Sequence, residues 1–371
     1  MKIVHVTECL AGGVLTFLCN FTAQLDQDEH VIIYGRRDNT PDDVEALFGS
    51  HVSLIYWEAA QREIRPRQDF LALKELLNKL KYISDIDILQ LHSSKAGILG
   101  RFAARLLGLS KRTFYLPHGV SFARQDISLS KRNLYVFIEK IANYFAGTVI
   151  ACSQSEKELL VSHGIKNVIV INNGIKVSEV EPKYKRPGRP FIFGTVGRIT
   201  NQKNPKLFNE IAAHFSGDTR VNFLWIGDGE LRHEIHENAQ VRVTGWVPQS
   251  EVQHYLSHVD VYISTSSWEG LPLSVLEAMN LGKPLLLSAC VGNIDTVKNG
   301  QNGYLYYTPS EAADKIETFL SISAKYFREM ESSSYQIVKI NFSLTSMVKV
   351  YKSLYDVIMM KGGNIHRNGE Y

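Results

Sequence analysis

The stretch KVSEVEPKYKRPGRPFIFGTVG, residues 176–197, decides the fold, because one kind of chain stops within it and then starts again. Residues 176–190 hold three prolines, one glycine and clustered charge, which suits an exposed linker and no packed element. FIFGTVG (191–197) is then a short apolar run closed by glycine, the pattern of a strand buried on both faces. Toward the amino terminus the same pattern recurs in VIVINN (168–173), TVIACS (148–153), RTFYLPH (112–118), IDILQLH (86–92), VSLIYW (52–57), HVIIYG (30–35) and KIVHVT (2–7). Helical periodicity fills the gaps at 14–25, 68–82, 95–108, 130–146 and 155–163, the last opened by Ser153 or Ser155 as N-cap with acids in the first turn. Toward the carboxyl terminus come VNFLWIG (221–227), VRVTGW (241–246), DVYISTS (260–266) and PLLLSAC (284–290), each followed by a loop and a helical pattern. Strands alternating with helices mean parallel sheet, so the chain reads as α/β, two doubly wound domains at 1–175 and 191–342 joined by the linker 176–190. A helix is expected near 310–331. In 343–361 Met347, Val350, Tyr351, Leu354 and Val357 recur at helical spacing, predicting a C-terminal helix that caps its own domain or crosses back to the first, with a polar tail at 362–371.

Composition agrees and excludes other classes. The 371 residues are 44% hydrophobic and 21% charged, the profile of an ordinary folded chain and not of a disordered or coiled-coil one. Formal charge is 41 − 38 = +3, too balanced for a protein that holds duplex nucleic acid by neutralising phosphates. Cys9, Cys19, Cys152 and Cys290 are scattered and form no C-x-x-C pair, so neither a thiolate metal site nor a disulfide framework is signalled and a reducing cytoplasm fits. The opening residues run straight into a strand pattern, without a signal peptide, and no window reaches the ~20 apolar residues of a membrane span.

In an open parallel sheet the functional crevice lies beyond the carboxyl ends of the strands, which directs attention to the loops there. After FIFGTVG the loop GRITNQKN carries Arg198 and Lys203, two cations able to neutralise a diphosphate, one bidentately and one as a point charge. VNFLWIG leads into GDGEL, where Gly227 permits close backbone approach after a buried strand. DVYISTS leads into SSWEGLPLSVLEAMNLGKP, in which seven residues separate Glu269 from Glu277. With Pro272 expected in the first helical turn, the second carboxylate stands about five residues, or ~7.5 Å, into the helix. Two acceptors then lie along one ligand, and Gly270 and Leu271 stand where helix-terminal N–H groups favour an anion. Two solvent-facing glutamates at a helix start are the common alternative.

These motifs resemble glycosyltransferase family 4, the retaining, nucleotide-sugar-dependent enzymes whose two Rossmann-like domains face each other across a cleft, the GT-B fold. EGLPLSVLEAMNLGKP is similar to the family's E-x7-E signature, with GRITNQKN and GDGEL ahead of it in family order. The resemblance implies that Arg198 and Lys203 meet the donor diphosphate, Glu277 the ribose hydroxyls and Glu269 the transferred sugar. It further places TGWVP (244–248), with Trp246 and Val247, along the nucleobase, and the amides of Gly270 and Leu271 against phosphate or sugar. In the first domain it implies that Gly12 and Gly13 lie near phosphate and acceptor, although Val14 and Leu15 follow where an acidic or hydroxylated residue is common. His118 corresponds to the family's histidine near the donor sugar, followed here by Gly119 instead of aspartate. Protein cations and a helix dipole are expected in place of a metal or other cofactor, and no D-x-D triplet is read as a metal site.

Residues 92–140 hold nine lysines and arginines, Lys95, Arg101, Arg105, Lys111, Arg112, Arg124, Lys131, Arg132 and Lys140, against Asp126 and Glu139, a local excess of 9 − 2 = +7. With its aromatics, SKRNLYVFIEKIANYF suits an anionic membrane surface, as well as it suits a solvated helix face. The resulting expectation is a cytoplasmic or peripherally membrane-bound hexosyltransferase. It would move sugar from a nucleoside diphosphate, UDP foremost, to a glycan on a lipid-linked intermediate of bacterial O-antigen or capsule. A nucleotide-sugar 2-epimerase on the same fold and a noncatalytic nucleotide-sugar sensor are the alternatives.

Overall fold

The computed structural model describes residues 1–37, 40–61, 63–182 and 190–366; most of the basic end of the predicted linker and the last five residues of the predicted tail lie outside the described residues. The chain forms two compact units, one of residues 1–122, 128–173 and the chain from 344 on, the other of residues 123–127 and 174–343.

The first unit runs β1 (Lys2–Thr7), α1 (Gly12–Gln24), β2 (Glu29–Tyr34), β3 (Val52–Tyr56), α2 (Pro66–Tyr82), β4 (Ile88–His92), α3 (Ser94–Leu106), β5 (Thr113–Leu116), α4 (Leu129–Phe145), β6 (Thr148–Ala151), α5 (Gln154–Ser162) and β7 (Val168–Val170). Its strands form one parallel sheet in the order β3-β2-β1-β4-β5-β6-β7. The central runs are buried on both faces as read, every residue of β1 after Lys2 and all of β4 and β5 being buried, whereas the edge strands β3 and β7 hold no fully buried residue. Local signals set the helix ends. Pro66 opens α2 with Asp69 in its first turn and Lys79 and Lys81 in its last, each charge complementing the dipole.

The second unit contains β8 (Phe191–Val196), α6 (Pro205–Ala213), β9 (Val221–Ile226), β10 (Val241–Val243), α7 (Gln249–Ser257), β11 (Val261–Ser264), α8 (Leu273–Asn280), β12 (Leu285–Ser288), β13 (Gly303–Tyr306), α9 (Pro309–Ser321) and α10 (Ala324–Asn341). Its sheet is parallel in the order β10-β9-β8-β11-β12-β13. Phe193, Phe208, Phe223, Trp225, Phe319 and Phe327 dominate its core.

Four expectations need correction. The strand β13 is absent from the sequence reading, since GYLY opens on a glycine and has neither a β-branched residue nor a continuous aliphatic run. The single helix near 310–331 is two, because Ser323 stops α9 and caps α10 by accepting from Tyr326 N. Pro272 occupies the N-cap of α8, one place before its first turn. The C-terminal helix, α11 (Leu344–His366), extends beyond 361 into the predicted polar tail; of the two placements expected for it, it takes the one with the first unit. Its buried stripe is Leu344, Met347, Val348, Tyr351 and Tyr355; Val350 and Val357, expected on that face, are exposed. Tyr351 packs on Phe17 and Phe21 of α1, and Tyr355 Oη donates to Gln90 Oε1 at 2.9 Å.

Candidate active site

Both sheets reverse their winding at one place, between β1 and β4 in the first and between β8 and β11 in the second. The loops leaving the carboxyl ends of such a strand pair diverge and leave a crevice; Gly12 and Gly13 follow β1, Arg198 and Lys203 follow β8, and Glu269, Gly270, Leu271 and Glu277 follow β11, whereas His118 follows β5, Gly227 follows β9, and Trp246 and Val247 follow β10.

In the second unit the loops after β8 and β11 are tied together. Gln202 O accepts from Ser267 N at 2.8 Å, and Thr265 Oγ1 donates to Lys203 O at 2.6 Å. Between them Lys203 Nζ stands 2.7 Å from Glu269 Oε1. Glu269 is buried and also accepts from Ser266 Oγ at 2.8 Å and from Gln202 Nε2 at 3.0 Å. Burial works against the lysine charge, but Glu269 and Tyr262 more than offset it, so the Lys203 pKa is raised and the ammonium stays charged. Gln202 and Ser266 were missed by the sequence reading, although Gln202 stands inside the quoted loop; nothing in a sequence tells a buried amide partner from a solvated one.

Glu277, five residues into α8, differs. Its half-buried carboxylate meets no hydrogen-bond donor or cation among the described residues, and burial pushes its pKa up to about 7. The N-terminus of α8 has no side-chain cap and no acid in its first turn, with Gly270 and Leu271 buried just ahead of it. Arg198 is half exposed and pairs with Glu230 at 3.0 Å. The expected cation pair is thus divided: Lys203 is bound inward to a carboxylate, and Arg198 faces solvent beside another.

Gly227 has a different explanation from ligand contact. Its φ is +135°, its N–H donates to Thr244 Oγ1 at 3.1 Å, and a Cβ there would stand 2.4 Å from Gly197 O. The glycine is required by the packing of one loop on the next. Past it, Trp246 is 68% exposed and Val247 half-buried.

In the first unit α1 begins at Gly12, which has φ +55°, and Ala11 offers no side-chain cap. Nothing lies within 4 Å of a Cβ built on Gly12 or Gly13, and both glycines are exposed. Beside it Glu8, also unread in the sequence, accepts from Ser93 Oγ at 2.6 Å and Ala96 N at 3.0 Å, capping α3. His118 follows β5 with φ +53°, a left-handed conformation uncommon for a residue with a side chain. The next amide, of Gly119, donates to Glu156 Oε1 at 2.9 Å and helps hold the turn. His118 Nε2 lies 2.9 Å from His92 Nδ1.

The basic excess of 92–140 is smaller on the surface than in the sequence. Lys95 is buried against Asp69 at 2.5 Å, and Arg101 is fully buried, paired with Glu139 at 2.6 Å and lying 4.3 Å over the Tyr115 ring. Arg124 pairs with Asp126 and groups with the second unit, where Gln125 Nε2 donates to Ser267 O at 2.9 Å. The two D-x-D triplets, 26–28 and 85–87, sit at amino-terminal strand ends, Asp28 on the Met1 ammonium at 2.7 Å and Asp87 accepting from Lys2 N at 2.8 Å. No helix of the described residues is long and apolar enough to cross a membrane.

Comparison with known proteins gives these sites a family. Residues 11–179 match the sequence profile described as Glycosyltransferase Family 4, and residues 177–336 the profile described as Glycosyl transferases group 1. The chain is 30% identical over 334 residues, 80% of its length and 81% of the relative's, to the UDP-Gal:alpha-D-GlcNAc-diphosphoundecaprenol alpha-1,3-galactosyltransferase of Escherichia coli. An O-antigen biosynthesis glycosyltransferase of Escherichia coli, WbnH, is 26% identical over 77% of this chain and 81% of its own. Among solved structures, Anabaena HepE in complex with UDP and glucose superposes with a TM-score of 0.75 at 18% identity, covering 96% of this chain and 100% of that one. The chain therefore belongs to glycosyltransferase family 4, of the bacterial surface-polysaccharide type, and has the family's GT-B fold of two Rossmann-like domains.

Proposed function

We propose that the protein transfers a hexose, with retention of configuration, from a UDP-sugar to a glycan carried on a lipid diphosphate. The observation that carries this is the second unit's switch point, where the buried Lys203–Glu269 pair stands beside an uncapped helix start and an unsatisfied Glu277 carboxylate. A carboxylate that burial has left without a donor suits the two hydroxyls of a ribose, which supply the missing hydrogen bonds. The exposed Trp246 gives the base a ring to lie on. Entry of the diphosphate at the α8 start would draw Lys203 from Glu269 and Arg198 from Glu230, freeing Glu269 to meet the sugar hydroxyls. Arg198, Lys203 and the amides of Gly270 and Leu271 then stabilise the departing diphosphate without a metal.

As the sugar C1–oxygen bond breaks toward the diphosphate, the acceptor oxygen bonds to C1 on the same face and gives its proton to the leaving phosphate. No protein nucleophile or base is assigned. In the first unit the exposed start of α1 at Gly12 and Gly13 suits an acceptor phosphate, and His118 is read as a contact to the sugar. The E. coli relative named for UDP-Gal and a diphosphoundecaprenol acceptor supports both halves of this reading.

A lipid-linked acceptor calls for a membrane contact, and α4 supports one. Leu134, Phe137, Ile141 and Tyr144, spaced three, four and three residues apart, are all exposed on one stripe with Lys131 and Lys140 beside it. Among the described residues of α4 the acid, Glu139, is buried, so this face carries apolar groups and positive charge. That combination fits an anionic bilayer surface.

The test is nucleoside diphosphate release across a panel of UDP-, GDP- and ADP-sugars, with purified lipid-linked acceptors and with or without chelator. Release that needs a UDP-sugar and acceptor and survives chelator is expected. A new sugar isomer without acceptor would establish an epimerase instead, and donor binding without turnover a sensor.

A further inference from the structure

Four histidines of the first unit form one hydrogen-bonded row. His30 on β2, His5 on β1 and His92 on β4 are fully buried. The register puts His30 opposite Ile3, His5 opposite both Ile32 and Gln90, and His92 opposite Thr7. Residues two apart in a strand share a face, so the three lie on one face of the sheet, each step advancing two residues toward the carboxyl ends. His118 continues the line just past β5. His30 Nδ1 is 3.0 Å from His5 Nε2, His5 Nδ1 is 3.2 Å from His92 Nε2, and His92 Nδ1 is 2.9 Å from His118 Nε2. At the far end His30 Nε2 lies 3.1 Å from the carbonyl oxygen of Leu25.

That carbonyl fixes the direction of every bond in the row. A carbonyl oxygen only accepts, so His30 carries its proton on Nε2, and a neutral ring then has a bare Nδ1. The bare nitrogen in turn requires His5 to donate from Nε2. The same step repeats at His92 and at His118, leaving the last Nδ1, on His118, as an acceptor. The rings are neutral near pH 7. Burial lowers the pKa of His5 and of His92 well below the ordinary value, with neighbouring imidazoles adding to it, and burial takes His118 down to about 4. Burial also lowers His30, the Leu25 carbonyl and Asp28 opposing it only in part. The rings meet nitrogen to nitrogen, and among the described residues no group of three or more His, Cys, Asp or Glu is placed to hold a metal ion. The Nδ1 of His118 has no partner among the described residues, and the side chain is half-buried at the carboxyl end of the sheet.

We propose that His30, His5 and His92 are positioning residues: they hold His118 in the Nε2–H tautomer, so that its bare Nδ1 accepts a hydrogen bond from a hydroxyl of the transferred sugar. The proposal rests on the reading of His118 as a sugar contact. A row that merely filled the core would leave tautomer and turnover indifferent to its far end, more than one strand away.

The experiment labels histidine with 15N in the full chain and records long-range 1H–15N correlations with and without UDP-sugar. All four rings should show a proton on Nε2, and donor should move the Nδ1 resonance of His118. In His30→Phe, which cuts the row from the Leu25 carbonyl, His118 should populate the Nδ1–H form. Turnover should fall about tenfold, the loss of roughly one hydrogen bond, with a smaller change in donor KM. A proton on Nδ1 of His118 in the unaltered protein overturns the proposal, as does His30→Phe with unchanged tautomer and turnover. The unaltered protein's spectra decide the tautomers even if His30→Phe fails to fold. His118→Phe with normal turnover and donor KM would instead overturn the reading of the site, while the spectra still report whether the row orders the ring.

Discussion

On the proposed ribose contact, Glu277, a carboxyl pushed by burial to about 7 and without a hydrogen-bond donor among the described residues, predicts that donor binding depends on pH. Its pKa is raised in the fold, so the stability it contributes is fully present below the ordinary carboxyl range and is lost as pH climbs through 7. Ribose hydroxyls donate best to the ionised form, so binding should lower this pKa and expel a proton. Donor affinity is therefore expected to rise severalfold from pH 6 to pH 8, approaching about tenfold per unit on the acid side. Calorimetry in buffers of different ionisation enthalpy should show proton release near pH 7, and in Glu277→Gln both effects should vanish while donor KM rises. The Lys203–Glu269 pair makes a different prediction. Lys203→Met leaves a buried carboxylate without its cation and should cost ~3–5 kcal/mol of stability, together with most of the transfer activity. Adding Glu269→Gln removes the stranded charge, so denaturant unfolding should show the double variant more stable than Lys203→Met alone. Additive losses would mean that the two groups are not coupled. Glu269→Gln by itself should chiefly lower turnover, since the sugar it is proposed to meet gains positive character in the transition state.

Among the elements, the strand-end loops behave as interlocking parts, and Gly227 tests this. A Cβ on it would stand 2.4 Å from a backbone oxygen at φ +135°, so Gly227→Ala should destabilise the second unit by ~2–3 kcal/mol and loosen the Arg198 loop with it. Thermal unfolding unchanged within a degree would refute that origin for the glycine. The helix α4 should behave as a surface element: Phe137→Glu is expected to abolish sedimentation with phosphatidylglycerol vesicles and leave soluble folding intact, because residue 137 is 60% exposed. Retention of vesicle binding would remove the membrane role from this stripe. Strands and helices were legible in the sequence because apolar runs and capping residues act locally. GYLY was not, since a glycine start and the lack of any β-branched residue leave it without a strand signature, and the break at Ser323 was hidden because a serine cap and a serine on a helix surface look alike in sequence. The glutamates and Lys203 were legible as residues, but their mutual pairing depends on two loops that meet only in the folded sheet. The histidines of β1, β2 and β4 stand singly in apolar strands far apart in the chain, and parallel register alone aligns them into a row.

On the scale of the whole molecule, sequence order and structural grouping part company twice. The segment 123–127 belongs to the second unit although it lies within the first half of the chain, and α11 belongs to the first although it comes last. Apolar spacing predicts that a C-terminal helix must bury one face, but not against which sheet, because both units offer apolar surface. The buried tyrosines settle it: Tyr351 lies among Phe17 and Phe21, and Tyr355 bonds Gln90 on β4. The first unit is therefore incomplete without residues far along the chain, whereas the second is nearly continuous. A fragment of residues 174–343 should fold alone, lacking only the short 123–127 segment, and should bind UDP through Glu277 and the α8 start. A fragment of residues 1–173 lacks α11, and with it the covering of Phe17, Phe21 and Gln90, so it should expose apolar surface and aggregate or stay partly unfolded. Supplying residues 344–366 as a peptide should raise its cooperative unfolding temperature. Circular dichroism melts and UDP titration of the two fragments make the comparison. A stable 1–173 fragment would show α11 to be an accessory to its unit, and a folded 174–343 fragment blind to UDP would mean that the base and ribose site assigned to that unit is incomplete.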